Sequence, residues 1–178
     1  MILVILLLAA AGFFGIRAGM DLCRRVMYPV AYEEYIHKYA KENQLDPYLV
    51  MAVIKTESNF IPDAHSGKAE GLMQLTEETA ADVARQLKIK ESTIDLTDPQ
   101  MNIRMGCYYL KRLIDRYDGN IDVALAAYNG GPGNVNKWLE DRTYSKDGEN
   151  LHSIPFRETR EYVQRVHRQW EHYREMYG

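Results

Sequence analysis

Residues 46–58 read DPYLVMAVIKTES and predict a helix whose last turn carries an acid on its core-facing side. Asp46 followed by Pro47 is typical of a helix start, because Asp caps free backbone N–H groups and proline fits the first turn. Residues three and four apart share a helix face, and the apolar stripe here consists of Leu49, Val50, Val53 and Ile54. The next members of that face are Glu57 and Ser58.

The position of Glu57 predicts a raised pKa. Desolvation against the core disfavours its charged form, and the negative end of the helix dipole acts in the same direction. A carboxyl with a raised pKa suits general acid catalysis. The alternative is an ordinary helix-end glutamate that pairs with a basic residue or turns toward water.

Helical patterns continue outward from this stretch through residues 31–178. Apolar stripes and capping residues predict helices at 31–43, 46–58, 76–88, 98–117, 120–131, 132–140 and from 155 nearly to the C-terminus. Residues 61–75 and 141–153 are predicted loops, and no strand of confident length is found. The predicted fold class is therefore all-α, a compact multi-helix domain over residues 31–178.

The start of the chain has a different character. Residues 1–16 read MILVILLLAAAGFFGI without a charge, which falls just short of the roughly 20 apolar residues that span a bilayer. We expect an apolar helix that holds the chain at a membrane through residues 1–20, with residues 1–30 as a membrane anchor or uncleaved signal segment followed by a short stalk. The alternative is a buried core helix.

Composition excludes several classes of function. The net charge is −3 and the pI is about 6.0, which argues against a nucleic-acid binder that depends on phosphate contacts. The two cysteines, Cys23 and Cys107, support neither a disulfide framework nor a metal site, and the five histidines show no ligand spacing. We expect no metal and no cofactor, and Cys107 is expected to pack as a small hydrophobe.

Two glycine-containing motifs lie between the predicted helices. In GLMQL, residues 71–75, Gly71 permits a close backbone approach and Gln74 offers both a donor and an acceptor. In AAYNGGPG, residues 126–133, Tyr128 shares a face with core residues and its hydroxyl needs a partner. Taken singly, they also fit an ordinary helix entry and a core tyrosine beside a glycine cap.

A fourth motif opens the last helix. Residues 154–163 read IPFRETREYV and place Glu158 four residues before Tyr162, on the same face. A carboxylate at a helix start is favoured by the dipole, so Glu158 is expected to stay ionised and to accept hydrogen bonds from a sugar or a neighbouring side chain. The alternative is a glutamate that only helps to cap the helix.

Together the four segments resemble the catalytic domain of the soluble lytic transglycosylases of bacterial cell walls. They are Glu57-Ser58, GLMQL, AYNGGPGNV and IPFRETREYV, in this order. The resemblance covers roughly residues 31–175 and implies a lysozyme-like, mainly helical fold with a cleft for glycan strands.

The resemblance also implies roles for individual residues. Glu57 is similar to the single catalytic acid/base, and Tyr128 to a tyrosine whose hydroxyl approaches that carboxylate. The residues expected to bind substrate or support the site are Ser58, Ser66, Gly71, Met73, Gln74, Tyr128, Asn129, Gly130, Glu158 and Tyr162. Thr76 stands where relatives often carry methionine or proline, which bears on subsite preference.

The implied reaction breaks the β-1,4 bond between N-acetylmuramic acid and N-acetylglucosamine and closes a 1,6-anhydro ring without water. An ordinary glycosidase needs two carboxylates at a set separation. Asp63 and Glu70 are the nearby candidates for a second one, but neither shares the face of Glu57. One carboxylate with an internal nucleophile fits better.

Three other functions remain open at this stage. One is a hydrolytic muramidase, another is a non-catalytic domain that binds or scaffolds glycan, and the third is a membrane-anchored helical protein with no glycan ligand. The expected partners are peptidoglycan strands and the membrane, with the domain on the cell-wall side. The positive-inside rule, applied to Arg17, Arg24 and Arg25, would instead keep the domain in the cytoplasm; the substrate is the stronger argument.

Overall fold

The computed structural model describes residues 12–15, 17, 19, 28 and 30–178, and the chain divides into two units, Met1–Ala31 and Tyr32–Gly178. In the first unit, residues 12–15, 17 and 19 are helical. Among the described residues, no helix combines the length and apolar character needed to cross a bilayer. Most of the predicted apolar helix over 1–16 and anchor over 1–20, and Cys23 with them, lie outside the described residues.

The second unit is mainly helical. Its helices are α1 (Glu33–Glu42), α2 (Pro47–Ser58), α3 (Glu77–Leu87), α4 (Pro99–Arg116), α5 (Ile121–Gly130), α6 (Pro132–Glu140) and α7 (Arg157–Tyr177), with a short 3-10 turn at Glu91–Thr93. The predicted caps are confirmed, since side chains accept hydrogen bonds from first-turn N–H groups at Asp46, Thr76, Asp98 and Asn120.

Two helices start later than predicted, and the backbone explains one of these differences. Tyr32 has φ of 61°, a left-handed conformation, so α1 cannot begin before Glu33. Helix α7 begins at Arg157 with Phe156 as the cap, two residues after the proline that was predicted to open it.

The predicted mainly helical fold is confirmed, but the segment over residues 61–75 that was predicted as a loop contains short strands. Three two-residue strands, β1 (His65–Ser66), β2 (Ala69–Glu70) and β3 (Leu75–Thr76), form an antiparallel sheet in the order β1-β2-β3. His65 pairs with Glu70, and Ala69 pairs with Thr76. Two-residue strands carry no sequence period, so this sheet reads as a loop from the sequence.

Helix α2 lies in the core of the unit. Residues 49–54 are all buried, so the helix is enclosed on every side rather than on the single predicted stripe. It packs chiefly against α7 and also against α1, while α4 packs against α1, α3 and α5. Because α2 is held on all sides, its C-terminal turn is a rigid support for a functional side chain.

Cys107 lies in the core, as predicted. Its side chain is fully buried on α4, and burial raises the pKa of its thiol well above the usual range. The residue therefore packs as a small hydrophobe and carries no reactive thiolate.

Candidate active site

Glu57 is the penultimate residue of α2 and keeps only part of its surface exposed. Desolvation raises its pKa to about 7, and the charge of Glu158 adds to that shift, whereas Tyr162 and the positive charge of Arg165 oppose it. The predicted direction and the predicted desolvation are confirmed. A carboxyl with this pKa holds a proton in part of the molecules at neutral pH and can both give and take one.

Tyr162 of α7 is the phenol that acts on Glu57 most directly. Its side chain is buried, and its hydroxyl finds no partner of good geometry among the described residues, yet it lies close enough to lower the pKa of Glu57. Burial, and then the charge of Glu57, raise the pKa of Tyr162 well above its usual value. The hydroxyl therefore stays protonated and can donate to the carboxylate.

Tyr128 of α5 is the second phenol near Glu57. The charge of Glu57 contributes to the raised pKa of Tyr128, after burial, so the two side chains are near each other. Its hydroxyl, however, donates to the carbonyl of Met73 at 2.8 Å. The structure therefore gives Tyr128 a direct partner in the loop rather than in the carboxylate that the sequence comparison implied.

Segment 71–74 is held against α4 by a close approach that only glycine allows. Gly71 has φ of 80°, and a side chain there would overlap the Asn102 amide and the Leu96 carbonyl. Gly106 of α4 likewise leaves room for the Met73 side chain, which is fully buried. The buried Met73 side chain therefore anchors segment 71–74 to α4. Its role in binding substrate stays a prediction.

Gln74 has a different role in the structure from the one its chemistry suggested. It adopts φ of 47°, and its Nε2 donates to the carbonyls of Ala64 at 2.9 Å and Gly71 at 2.8 Å. These bonds connect the end of segment 71–74 to Ala64, just before β1, and to Gly71, just after β2. The amide donor is thus used within the protein, while Oε1 is buried and has no partner among the described residues.

Asn102 is a site-building residue that the sequence reasoning missed. This fully buried side chain accepts from the Met73 N–H at 2.8 Å and donates to the carbonyls of Glu70 and Leu96 at 3.0 and 2.9 Å. Ser58, next to Glu57, donates to the Leu72 carbonyl at 2.8 Å. The sequence did contain a signal for this role: Asn102 lies three residues before Met105, on the buried face of α4, and a buried amide needs hydrogen-bond partners.

The remaining predicted residues lie at two places. Ser66 is exposed on β1. Asn129, Gly130 and Glu158 line a cavity of about 500 Å³ between the end of α5 and the start of α7. A second cavity, of about 640 Å³ between the α4–α5 turn and residues 148–150, contains none of the predicted site residues.

Within the described part of the chain, no group of three or more His, Cys, Asp or Glu side chains is placed to hold a metal ion. The groups that act on the desolvated Glu57 carboxyl are two phenols, a nearby arginine and a second carboxylate. The fold and this site define a mainly helical domain with one desolvated carboxyl beside buried phenols.

The comparisons with known proteins identify the family. Residues 34–151 match the family described as the Transglycosylase SLT domain, and the chain belongs to that family. The match ends before Glu158 and Tyr162. The resemblance seen in the sequence motifs is confirmed.

Individual relatives agree with this assignment. The chain is 34% identical over 143 residues to the soluble lytic murein transglycosylase of Escherichia coli strain K12, covering 78% of this chain and 22% of the relative. An inactive glutamate-to-glutamine mutant of the lytic transglycosylase Slt from Pseudomonas aeruginosa superposes with a TM-score of 0.74 at 35% identity, over 85% of this chain and 25% of that one.

A 70-kDa soluble lytic transglycosylase in complex with bulgecin A superposes with a TM-score of 0.77 at 29% identity, over 87% of this chain and 26% of that one. The chain thus spans about a quarter of the length of these three relatives.

Proposed function

We propose that residues 31–178 form a peptidoglycan lytic transglycosylase domain with Glu57 as its acid and then its base. The observation that carries this proposal is the desolvated carboxyl at the end of α2, whose pKa is about 7. A general acid or base is most effective when its pKa lies near the working pH. A protein that only binds glycan has no need of such a group.

The reaction has two proton transfers that both involve Glu57. The protonated carboxyl first gives its proton to the glycosidic oxygen as the bond between that oxygen and C1 of the muramoyl residue breaks. The resulting carboxylate then takes the proton of the muramoyl C6 hydroxyl while the C6 oxygen forms a bond to C1. The 1,6-anhydro ring closes, no water is consumed, and Glu57 ends protonated as it began.

The neighbouring groups favour the change from acid to base. Tyr162, which stays protonated, can donate to the carboxylate once Glu57 has lost its proton, and the positive charge of Arg165 favours the same form. Desolvation works against both and keeps the protonated form available. The balance leaves Glu57 able to act in both steps at neutral pH.

The relatives support a single essential carboxyl. One glutamate-to-glutamine change accompanies inactivity in the Pseudomonas aeruginosa enzyme, and a solved relative of this fold binds bulgecin A. The inactive mutant is consistent with chemistry that depends on a glutamate, and the bulgecin A complex is consistent with a ligand-binding cleft in this fold.

A hydrolytic muramidase is the second candidate, and one observation favours it. The charge of Glu158 reaches Glu57 and raises its pKa, so a second carboxylate lies in the same region. If Glu158 activated a water, that water would replace the C6 hydroxyl as the nucleophile. The two reactions differ in their products.

The deciding experiment is product analysis on purified peptidoglycan by mass spectrometry. Wild type is expected to release anhydro-muropeptides, whereas hydrolysis gives products heavier by one water, about 18 Da. Glu57→Gln is expected to lower the turnover by at least about a hundredfold while the helical circular dichroism stays unchanged. Asp63→Asn, an exposed carboxylate after α2, is the matched control and should keep wild-type turnover. Full activity of Glu57→Gln would exclude the mechanism.

We also propose that the domain faces the cell wall and that residues 1–20 hold it at the membrane. The charge-free run over residues 1–16 and the extracytoplasmic position of peptidoglycan support this arrangement. A topology reporter fused to the C-terminus should give an extracytoplasmic signal, and a cytoplasmic signal would overturn the placement.

A further inference from the structure

Asn102 is a fully buried side chain of α4 that makes three hydrogen bonds to backbone groups. Its Nδ2 donates to the carbonyls of Glu70 and Leu96 at 3.0 and 2.9 Å, and its Oδ1 accepts from the Met73 N–H at 2.8 Å. The two carbonyls fix which way the amide faces, because a reversed amide would place its oxygen against them and its NH2 against the N–H. The amide oxygen is therefore held toward Met73.

The peptide group between Leu72 and Met73 is bound at both of its polar atoms. Asn102 accepts from the N–H, and the hydroxyl of Ser58 donates to the Leu72 carbonyl at 2.8 Å. Ser58 is the last residue of α2 and follows Glu57 directly. One peptide group thus joins α4 to the end of α2 that carries the proposed acid, and it cannot rotate without breaking one of these bonds.

The next carbonyl along the chain sets the direction of a phenol proton. The Tyr128 hydroxyl donates to the Met73 carbonyl at 2.8 Å, and the Tyr128 ring packs against Tyr109 of α4 with centroids 5.3 Å apart. A hydroxyl has one proton to donate. Because that proton goes to Met73, Tyr128 offers only lone pairs to its other neighbours, Glu57 among them.

The two phenols near Glu57 therefore differ in what they can offer it. The Tyr162 hydroxyl has no partner of good geometry in the part of the chain that the structure describes, so its proton is available to the carboxylate. The Tyr128 hydroxyl can accept from the protonated carboxyl, but it cannot donate to the carboxylate while it is bonded to Met73. A second donor would favour the carboxylate and leave less of the acid form.

We propose that Asn102 is a positioning residue for the reaction. By fixing Met73 it keeps the Tyr128 hydroxyl on the Met73 carbonyl, so that Tyr162 is the phenol that donates to the Glu57 carboxylate. Asn102 takes no part in proton transfer and acts through the backbone of Met73. The proposal rests on the proposed function, because the acid form of Glu57 matters to the reaction only if Glu57 is the proton donor.

The test follows the titration of the Glu57 carboxyl carbon by NMR in the full chain in detergent micelles. Asn102→Ala releases Met73, and the Tyr128 hydroxyl can then turn to the carboxylate. The pKa of Glu57 is expected to fall from about 7 to about 6, the effect of one hydrogen bond to a charged group. The alkaline limb of the pH profile of turnover should move down by about one pH unit. The charged and titratable groups that act on this carboxyl are the same in the variant: Tyr128, Glu158, Tyr162 and Arg165.

Adding Tyr128→Phe to Asn102→Ala separates positioning from packing. The double variant should return the pKa of Glu57 to about 7, because no hydroxyl is left to turn. Loss of packing alone cannot produce this recovery. The control is Ile103→Val, at the next, fully buried residue of α4, which should lower the urea midpoint and leave the titration unchanged.

An unchanged Glu57 titration in folded Asn102→Ala would overturn the proposal, and so would a lowered pKa that Tyr128→Phe does not restore. Tyr128→Phe alone decides the case where Asn102→Ala does not fold. An unchanged pKa of Glu57 in that variant supports the proposal, and a raised one overturns it, because the hydroxyl would then already donate to the carboxylate.

The titration needs no turnover, so it can fail independently of the proposed function. If the pKa changes occur as expected while wild type forms no anhydro product, the placement of the Tyr128 proton stands and the proposed reaction fails. If wild type forms that product and folded Asn102→Ala titrates as wild type does, the reaction stands and the positioning role fails.

Discussion

Replacing Glu57 with glutamine should stabilise the fold at neutral and alkaline pH, even though it removes the proposed activity. The pKa of Glu57 is about 7 in the folded chain, against 4.5 for an ordinary glutamate. Each pKa unit corresponds to about 1.4 kcal/mol, so ionised Glu57 lowers the free energy of unfolding by about 3 kcal/mol above pH 7. Glutamine cannot ionise and avoids this cost.

The direction in which the free energy of unfolding changes with pH depends on whether the folded or the unfolded chain keeps the Glu57 proton. Below pH 4.5 Glu57 is protonated in both the folded and the unfolded chain, and its ionisation has no effect on stability. Between pH 4.5 and about 7 the unfolded chain releases the proton and the folded chain keeps it, so wild type loses stability as the pH rises. Above about pH 7 the loss is complete and constant.

The measurement is urea unfolding of wild type and Glu57→Gln, followed by circular dichroism from pH 4 to pH 9. The difference in free energy between the two proteins should be constant near pH 4 and grow by about 3 kcal/mol in favour of Glu57→Gln by pH 8. Glu161→Gln is the control, because Arg157 lowers the pKa of Glu161. That variant should show a small change of opposite sign.

A difference between wild type and Glu57→Gln that stays constant from pH 4 to pH 9 would refute the reasoning. It would mean that the carboxyl is not desolvated in the folded chain. The proposed acid would then have an ordinary pKa and would be ionised at neutral pH.

Two further predictions concern the support of the site. Gly71→Ala should cost about 3 kcal/mol or more, because the left-handed backbone disfavours a side chain and the new atom would displace Asn102; Gly67→Ala, with φ of 62° and open space around it, should cost only about 1 kcal/mol. Urea unfolding compares the two, and equal costs would contradict the overlap. The hydrogen bond that protonated His167 donates to the Asp122 carboxylate raises the pKa of His167, so this pair stabilises the fold below pH 6.5 and loses that effect as the pH rises through the raised pKa. Asp122→Asn should therefore lower the melting temperature more at pH 6 than at pH 9, and the corresponding loss of unfolding free energy should stay below about 1 kcal/mol because the pair is partly exposed. An equal decrease in melting temperature at both pH values would contradict this prediction.

Local features of the fold could be predicted from sequence because their causes lie within a few residues. Asp46, Thr76, Asp98 and Asn120 each cap a helix that begins with the next residue. The placement of Glu57 at the end of a core-facing stripe, and the direction of its pKa shift, likewise follow from the residues of α2. Helical periodicity and capping involve residues within one or two turns of each other, and they can therefore be predicted from a short stretch of sequence.

The surroundings of Glu57 depend on contacts between distant parts of the chain. Asn102 holds Met73, 29 residues away, and the hydroxyl of Tyr128 donates to the Met73 carbonyl across 55 residues. That Tyr162 rather than Tyr128 acts directly on the carboxyl follows from how α7 packs against α2. No local pattern encodes such a choice between two phenols.

The sequence by itself determined the helices, their caps, the acid at the end of α2 and the order of motifs that places the chain in its family. Only the tertiary structure decided the small sheet over β1–β3, the hydrogen bonds that hold segment 71–74, and the cavity that joins Phe156 to Glu158. The physical reason is that the hydrogen bonds, caps and periodic pattern of a helix join residues only a few positions apart in the sequence. A cleft is made by side chains that become neighbours only when the helices pack.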